Sequence, residues 1–319
     1  MQDFQKSHSI SHYFAPRGHK RMYSLGMQLM QQYLSPTDKL IGIIGDAGSG
    51  KSALIRGMFP GLELTNDDNG VYVRPLPILE MGRGFSLFTP HTYHLDIRFE
   101  NGFTQMNDLA DAITEAVRSG KRVIVEHFDL VYPLLGFNAD LLIGVGEEVV
   151  LTRPTIFGPE PKEIVDIVYQ SLPYRLMCHT AEDLCETLLP PEDLARCGHD
   201  DVKHGFVLSF PGHPPKVNLR EMEARIHEMI EKNLPVTYVD EDHVNIGGLI
   251  HPCTGPRIHV NNTGRIKDFH LLYHYVHDEL NDRYLIVGIV GMDNLDKLVK
   301  LEKKYSPGSV RFDQRNSIL

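Results

Sequence analysis

A glycine-rich segment at residues 45–52 has the residue types that hold a chain of phosphates. It reads GDAGSGKS and matches the pattern G-x-x-x-x-G-K-[ST] without deviation. Glycines let main-chain N–H groups reach phosphate oxygens, because no Cβ stands in the way. The ammonium of Lys51 suits the β- and γ-phosphates, and the hydroxyl of Ser52 suits Mg²⁺. The predicted phosphate-binding residues are Gly45, Asp46, Ala47, Gly48, Ser49, Gly50, Lys51 and Ser52.

An acidic residue farther along the chain completes the chemistry that such a loop requires. A nucleotide-bound Mg²⁺ needs a carboxylate at the end of a strand beside the loop. Residues 122–129 read RVIVEHFD, which predicts a buried strand that ends in acidic residues. Glu126 is the first choice to hold the water shell of the ion, and Asp129 is the second. The alternative is that Glu126 only ends a strand.

The elements around the loop have the order that it needs. The apolar run 39–45 predicts a strand before the glycines, and residues 52–59 predict a helix after them. Further helices are predicted at 22–34 and 106–119, and a further strand at 91–99. Strands that alternate with helices predict a parallel sheet with flanking helices, which is the α/β fold class of P-loop NTPases.

The second half of the chain changes character. Residues 153–173 contain four prolines around one predicted short helix, and this segment is interpreted as the connection between two domains. The expected domains are 1–160 and 161–319. The second is expected to be α+β, with helices at 179–189 and 218–233 and strands at 204–210, 256–260 and 284–290.

Composition limits the classes of protein that the chain can belong to. The net charge of −10 argues against broad, non-specific nucleic-acid binding, which depends on Lys and Arg. The basic stretch 297–315 is either a local patch or a solvated helix face. No apolar run approaches the ~18 residues needed to span a bilayer, so no membrane partner is expected. The four cysteines form no C-x-x-C pair, and a reducing cytoplasm is the expected setting.

The phosphate loop together with VIVEHFD at 123–129 resembles the uridine kinase-like branch of small-molecule P-loop kinases. In that family a strand after the loop helix ends in an acidic residue that accepts the proton of the substrate hydroxyl. The resemblance implies this role for Asp67 or Asp68, although their segment is equally a plain turn. It also implies a lid role over the phosphates for Arg153. No N-K-x-D motif for reading guanine is present, so ATP is expected rather than GTP.

Two motifs in the second half look like those of alanyl-tRNA editing domains. These are the second additional domain of alanyl- and threonyl-tRNA synthetases and their free-standing AlaX relatives. Residues 175–184, RLMCHTAEDL, look like the family's HTAxHLL helix. Residues 253–266, CTGPRIHVNNTGRI, look like its second motif, CxGTHVxxTGEI, and the segment 219–236 between them is also similar. The resemblance implies an alanyl-tRNA-editing-like domain over about residues 174–290.

The editing-domain resemblance also implies a zinc site. The family binds zinc through two histidines of the first motif and a cysteine and a histidine of the second. The corresponding residues are His179, Asp183, Cys253 and His259. Positions i and i+4 of a helix share one face, so His179 and Asp183 can reach one ion. Asp183 replaces a family histidine, and zinc accepts carboxylate.

Several other side chains near these motifs are alternatives. The second motif carries two extra residues between its glycine and His259. The substitute ligands that lie near the motifs in sequence are His199, His204 and His251. The candidates to line a substrate pocket are Thr180 and Thr254.

Three functions follow from these patterns. The favoured one is an ATP- and Mg²⁺-binding, nucleoside kinase-like phosphotransferase fused to a zinc-binding, aminoacyl-tRNA editing-like domain. Its expected partners are a nucleotide, a small phosphoryl acceptor and either a tRNA or an aminoacyl ester. The second is a metal-dependent aminoacyl-tRNA deacylase that the nucleotide domain regulates. The third is a nucleotide-gated binding module without catalysis.

Overall fold

The computed structural model describes residues 10–65, 77–80 and 91–305, and the chain divides into two compact units, Met1–Pro173 and Tyr174–Leu319. The division therefore falls later in the chain than the boundary expected at residue 160. Asp67 and Asp68 lie outside the described residues, as does the end of the basic C-terminal stretch.

The first unit contains a mixed six-stranded sheet. Its strands are β1 (Ile10–Phe14), β2 (Leu40–Ile44), β3 (Thr92–Asp96), β4 (Arg122–Glu126), β5 (Leu141–Val145) and β6 (Glu148–Thr152). The order is β1-β6-β5-β2-β4-β3, in which β3, β4, β2 and β5 are parallel. The sheet differs from the expected parallel sheet at one edge, where β6 and β1 are antiparallel to their neighbours. Only two residues separate β5 from β6, and a connection this short closes a hairpin.

Helices cover both faces of this sheet. They are α1 (His19–Tyr33), α2 (Lys51–Met58), α3 (Ile97–Glu100), α4 (Met106–Arg118), α5 (Phe128–Leu135) and the first part of α6 (Pro161–Glu186). Leu40 and Ile44 of β2 join the core under α4 and α5, and Ile41 and Ile43 join the core under α1 and α2. Burial on both faces explains the continuous apolar run of β2. The chain leaves the carboxyl end of β2 toward β3 on one side and the carboxyl end of the adjacent β5 toward β6 on the other, and α/β sheets form their ligand crevice at such a point.

A pair of glycines brings α1 against α2. A Cβ on Gly26 would overlap the carbonyl oxygen of Leu54, and a Cβ on Gly57 would overlap the carbonyl oxygen of Tyr23. Neither position leaves room for a methyl group, so both helices need glycine at this contact. The contact fixes the far end of the helix that begins at Lys51.

The second unit is α+β. After the end of α6 its helices are α7 (Pro191–Leu194), α8 (Leu219–Glu231) and α9 (Leu295–Tyr305). One sheet contains β7 (Gly198–Val202), β8 (Gly205–Pro211), β12 (His270–Leu271), β13 (Val276–Asp278) and β14 (Arg283–Ile289). A smaller antiparallel sheet contains β9 (Val236–Asp240), β10 (His243–Ile246) and β11 (Leu249–Pro252). The core lies between α6, α8 and the larger sheet.

Two local predictions in this part of the chain are wrong. The short helix expected within 153–173 and the helix expected at 179–189 belong to one helix, α6, of 26 residues. Pro161 occupies its first position, where proline is tolerated because the N–H has no intrahelical partner. Pro173 lies inside the helix, which continues through it. Residues 256–260 form a turn and a bend followed by irregular chain rather than the expected strand. Within the described ranges, no helix is long and apolar enough to cross a membrane.

Candidate functional site

The glycine-rich loop of the first unit joins β2 to α2 at the carboxyl edge of the parallel strands. Gly48 and Gly50 adopt left-handed φ angles of 75° and 92°, which side chains disfavour. A Cβ on Gly45 would lie 2.9 Å from Oγ of Ser49. No described side chain caps the first turn of α2, whose N–H groups have no intrahelical partners. This combination suits an anion at the start of the helix.

The side chains of Lys51 and Glu126 lie close together at this edge, which is what phosphate binding by the lysine and magnesium binding by the carboxylate would need. Nζ of Lys51 donates to the carbonyl oxygen of Asp46 at 2.8 Å and lies 3.5 Å from Oε2 of Glu126. Both side chains are buried. Asp129, the second choice, is half-buried at the start of α5, and burial raises its pKa. Glu126 is therefore the better placed of the two carboxylates.

His94 of β3 orients Glu126. The N–H of Thr65 donates to Nδ1 of His94 at 3.1 Å, so the proton of the neutral ring is on Nε2. Nε2 then donates to Oε1 of Glu126 at 3.1 Å. Burial opposes ionisation of Glu126, but this hydrogen bond and the charge of Lys51 outweigh burial and lower its pKa. Glu126 is a fixed anion beside a fixed cation.

Two further side chains, Asp96 and His127, line the same edge. Asp96 ends β3, and its carboxylate accepts the N–H of Phe99 at 3.1 Å and lies 4.0 Å from Nε2 of His127. Burial and the charge of Lys51 lower the pKa of His127 to about 4, so the ring is neutral at pH 7. Ligand atoms of Asp96, Glu126 and His127 lie within 4.8 Å of one another. This group suits a divalent cation in the crevice.

Arg98, rather than Arg153, lies beside the loop. Nη1 of Arg98 donates to Oδ1 of Asp46 at 2.9 Å. Arg153 follows β6, which is antiparallel to β5, and so lies at the amino edge of the parallel strands. There it makes a buried ion pair with Asp38, at 2.7 and 2.9 Å. The lid role expected for Arg153 is wrong, because its guanidinium is committed at the opposite edge of the sheet.

The second unit brings together the four side chains of the expected zinc set. Their ligand atoms, from His179, Asp183, Cys253 and His259, lie within 4.8 Å of one another. Nε2 of His179 lies 3.3 Å from Sγ of Cys253, and Nε2 of His259 lies 3.9 Å from that sulfur. Sulfur and nitrogen ligands of a tetrahedral zinc ion are about 3.6 Å apart. The donor set and its spacing therefore fit zinc.

Outer partners turn both imidazoles toward this cluster. Nδ1 of His259 donates to the carbonyl oxygen of Pro256 at 3.1 Å, and Nδ1 of His179 lies 3.3 Å from a carboxylate oxygen of Glu182. Such partners are typical of metal-bound histidine, because they fix which nitrogen holds the lone pair. Nε2 of His259 faces Oδ2 of Asp183 at 2.9 Å. With its proton on Nδ1, His259 presents a lone pair at Nε2 to the carboxylate oxygen of Asp183. Two such acceptors at this distance require a proton or a metal cation between them.

Burial dominates the ionisation of the cluster. It lowers the pKa of His179 and, with the negative charge of Asp183, raises the pKa of Cys253 far above its usual range. Burial also opposes ionisation of Asp183, but the nearby His179 and His259 outweigh it and lower that pKa. A bound dication would favour the thiolate that zinc requires.

The alternative residues fall in different places. Nε2 of His251 lies 3.3 Å from Glu186, which also lies 3.2 Å from His199, so these two histidines form an outer layer beside the four. His204 instead stacks on the ring of Tyr174. The hydroxyl of Thr180 donates to the carbonyl oxygen of Leu176 and accepts the N–H of Val260, so it serves packing rather than a pocket. Thr254 is exposed.

Sequence reasoning missed the residues that support both clusters. In the first unit these are Thr65, His94, Asp96, Arg98 and His127, and in the second they are Glu182 and Glu186. One signal was present in the sequence, since Glu182 and Glu186 share the helix face of His179 by 3.6-residue periodicity. The partners of the first unit come from separate strands, and their meeting depends on strand order.

Comparisons with known proteins do not assign the chain to a family. No protein-family model matches the sequence, and no curated protein matches it. Among solved structures, an ornithine aminotransferase from Toxoplasma gondii ME49 aligns over 80% of this chain and 70% of that chain, at 8% identity and a TM-score of 0.22. A likeness this low carries no argument about fold or function.

Proposed function

We propose that the first unit binds ATP with Mg²⁺ and transfers a phosphoryl group to a small molecule such as a nucleoside. The contact between Lys51 and Glu126 at the mouth of the glycine loop carries this proposal. It pairs a phosphate-binding cation with a carboxylate that can hold a magnesium water shell, in the crevice where α/β sheets bind ligands. A cytoplasmic location belongs to the same proposal.

Each residue has a distinct role in this scheme. Main-chain N–H groups of the loop and the ammonium of Lys51 hold the phosphates, and Ser52 and Glu126 hold the Mg²⁺ side. Bound ATP–Mg²⁺ supplies an electrophilic γ-phosphorus with its charge partly neutralised. Asp96 is the last residue of β3, a parallel strand that follows α2 in the chain. It is the residue proposed to take the proton from the hydroxyl group that receives the phosphoryl group. Asp67 and Asp68 keep the same proposed role as alternatives.

The test is ATP binding followed by a screen for phosphoryl transfer. Titration calorimetry with ATP and Mg²⁺ is run on the protein and on Lys51→Ala. We expect Lys51→Ala to weaken ATP about 100-fold, or about 2.7 kcal/mol. Lys20→Ala, an exposed lysine of α1, is the control and should bind as the unaltered protein does. A panel of nucleosides and other small hydroxyl compounds is then incubated with γ-labelled ATP.

The outcomes separate the competing functions. Label on an acceptor, lost in Asp96→Asn with ATP binding retained, supports the kinase function. ATP binding without any transfer supports the nucleotide-gated module. Equal ATP affinity in the protein and in Lys51→Ala would contradict the nucleotide site itself.

A second function, favoured by the convergence of His179, Asp183, Cys253 and His259, is hydrolysis of an aminoacyl ester at a tRNA 3′ end. Zinc held by three of these four side chains would keep one coordination position open, and there it would act as a Lewis acid toward the ester or a water. In this scheme Glu182 and the carbonyl oxygen of Pro256 orient the imidazoles of His179 and His259. Burial of Cys253 shields the site from bulk water.

Metal content and deacylation test this second function together. The purified protein should contain zinc by mass spectrometry and should release the amino acid from mischarged alanine-type tRNA. Cys253→Ser should lower both the zinc content and the rate. Mischarged tRNA that stays intact with zinc bound would contradict hydrolysis and would leave a recognition role for the second unit.

A further inference from the structure

A second cluster of metal-binding side chains lies on the second unit, apart from the one already described. Glu223 and His227 belong to α8, four residues apart and therefore on one face of the helix. His270 is the first residue of β12. One ligand atom from each of the three residues lies within 4.8 Å of the others.

Distances within the cluster match the edges of a metal polyhedron rather than hydrogen bonds. Oε1 of Glu223 lies 3.5 Å from Nδ1 of His270 and 3.7 Å from Nε2 of His227. Hydrogen bonds between nitrogen and oxygen are usually 2.7–3.2 Å long. Oxygen and nitrogen ligands of a tetrahedral zinc ion are about 3.3–3.5 Å apart. Both imidazoles therefore lie beyond hydrogen-bond distance of one carboxylate oxygen, His270 at the separation of two ligands on a common ion and His227 slightly farther away.

Glu223 is a buried carboxylate that is already oriented. It is 6% exposed and sits on α8 beside the buried Met222 and Ile226. Its Oε2 accepts the N–H of Leu271 at 2.6 Å, and its Oε1 accepts the hydroxyl of Tyr273 at 2.8 Å. These donors are neutral, so they orient the carboxylate without balancing its charge. A cation held with His227 and His270 would supply that balance.

The two histidines leave the site open to solvent. The side chain of His227 is 42% exposed and that of His270 is 38% exposed, whereas the side chain of Glu223 is 8% exposed. A cation can thus enter from water, and its remaining coordination positions would face outward. Imidazole with carboxylate is a donor set that favours zinc and related first-row ions over Mg²⁺ or Ca²⁺.

We propose that Glu223, His227 and His270 form a second divalent-metal site of the zinc class, which ties β12 to α8. The site is independent of the Cys253 cluster and of any activity there. Its ligands are a carboxylate and two imidazoles, whereas the Cys253 cluster contains sulfur. This difference gives the two sites separate spectroscopic signatures.

Cobalt(II) titration of the full chain tests the proposal, since cobalt takes zinc's geometry and is coloured. Cobalt bound by Cys253 gives a thiolate charge-transfer band in the near ultraviolet, and cobalt bound by Glu223 and the histidines gives weak visible bands only. Bound metal per chain is counted in parallel by equilibrium dialysis with zinc and mass spectrometry. The test variant is His227→Ala/His270→Ala, and His274→Ala is the control, a partly exposed histidine that pairs with Glu302 instead.

The double variant should bind one zinc ion fewer than the protein and the control, with the charge-transfer band unchanged. Both substituted histidines are half-exposed, so the double variant should keep the second unit folded. Circular dichroism verifies the fold of the variant. Glu223→Gln should weaken the same ion at least tenfold. Equal zinc counts in the protein and the double variant, or binding only at millimolar zinc, would overturn the proposal. The comparison holds even if the Cys253 cluster binds nothing, because the count then falls from one to zero.

Discussion

The two candidate sites of this chain neutralise a buried carboxylate in opposite ways. In the first unit, Glu126 faces the ammonium group of Lys51. In the second unit, Asp183 faces the imidazoles of His179 and His259, which are neutral unless they take up a proton. An ammonium group on a glycine loop suits an anionic ligand, whereas imidazoles, a thiol and a carboxylate suit a cationic one. The charge type of the partner thus distinguishes a phosphate site from a metal site.

The amino edge of the sheet in the first unit gives the largest expected effect. Arg153→Ala should lower the free energy of unfolding by about 3–5 kcal/mol, because it leaves Asp38 buried without its partner. Urea denaturation measures the change, and Arg118→Ala, exposed at the end of α4, is the control. Because this edge is remote from the glycine loop, ATP affinity of the folded variant should not change. A loss of ATP affinity without destabilisation would restore the lid role for Arg153.

Removing the sulfur ligand should separate the two sites. Cys253→Ser should weaken zinc about 100-fold, or about 2.7 kcal/mol, and leave ATP affinity unchanged. Competition with a coloured chelator measures zinc, and calorimetry measures ATP. Cys197→Ser, a half-buried cysteine outside the cluster, is the control. If Cys253→Ser also weakened ATP, the assignment of one ligand type to each site would be wrong.

An outer carboxylate should have a smaller effect on the same site. Glu182→Gln should weaken zinc by about tenfold, because His179 loses a charged partner at Nδ1 but keeps its lone pair at Nε2. The chelator competition serves again, with the exposed Glu192→Gln as the control. An effect as large as that of Cys253→Ser would make Glu182 a direct ligand.

The smallest expected effect concerns an ion pair of the second unit away from the metal cluster. Burial opposes ionisation of Asp193, but the hydrogen bond from Arg196 and the N–H of Lys216 outweigh it and lower its pKa. Asp193→Asn should therefore cost about 0.5–1 kcal/mol at pH 7. A lowered carboxylate pKa stabilises the fold above its unfolded value near 3.9, and this contribution disappears as the pH falls through the folded value. Thermal unfolding from pH 7 to pH 2.5 should show the two proteins converging below about pH 4.

Local patterns predicted much of the secondary structure. The helices α1, α4 and α8 and the strands β2, β4, β8 and β14 agree with the periodicity of their residues. Proline was the main source of error, since Pro173 indicated a break where α6 is continuous. The apolar residues Ile258 and Val260 indicated a strand, yet they are buried in a bend and in irregular chain. Burial without regular hydrogen bonding leaves no periodic signal to separate the two.

The sites were predictable only where a motif fixed the spacing. Lys51 and Ser52 follow from the glycine pattern, and the four residues of the second cluster follow from two short motifs. His94, Asp96 and Arg98 were not predictable, because they reach the glycine loop through the pairing of β3 with β4 and of β4 with β2. That order is a property of the whole sheet. Arg153 was misplaced for the same reason, since the direction of β6 decides which edge its end occupies.

The glycine pair between α1 and α2 determines where α2 lies, and so where the glycine loop before it ends. At Gly26 and Gly57 the backbones of α1 and α2 are so close that an added methyl group would overlap a carbonyl oxygen of the other helix. A single added methyl group at either position would displace the whole of α2, because the helix is short. The ammonium group of Lys51, at the other end of α2, would then move away from Glu126. The position of Lys51 therefore depends on two residues without side chains that meet at the other end of its helix.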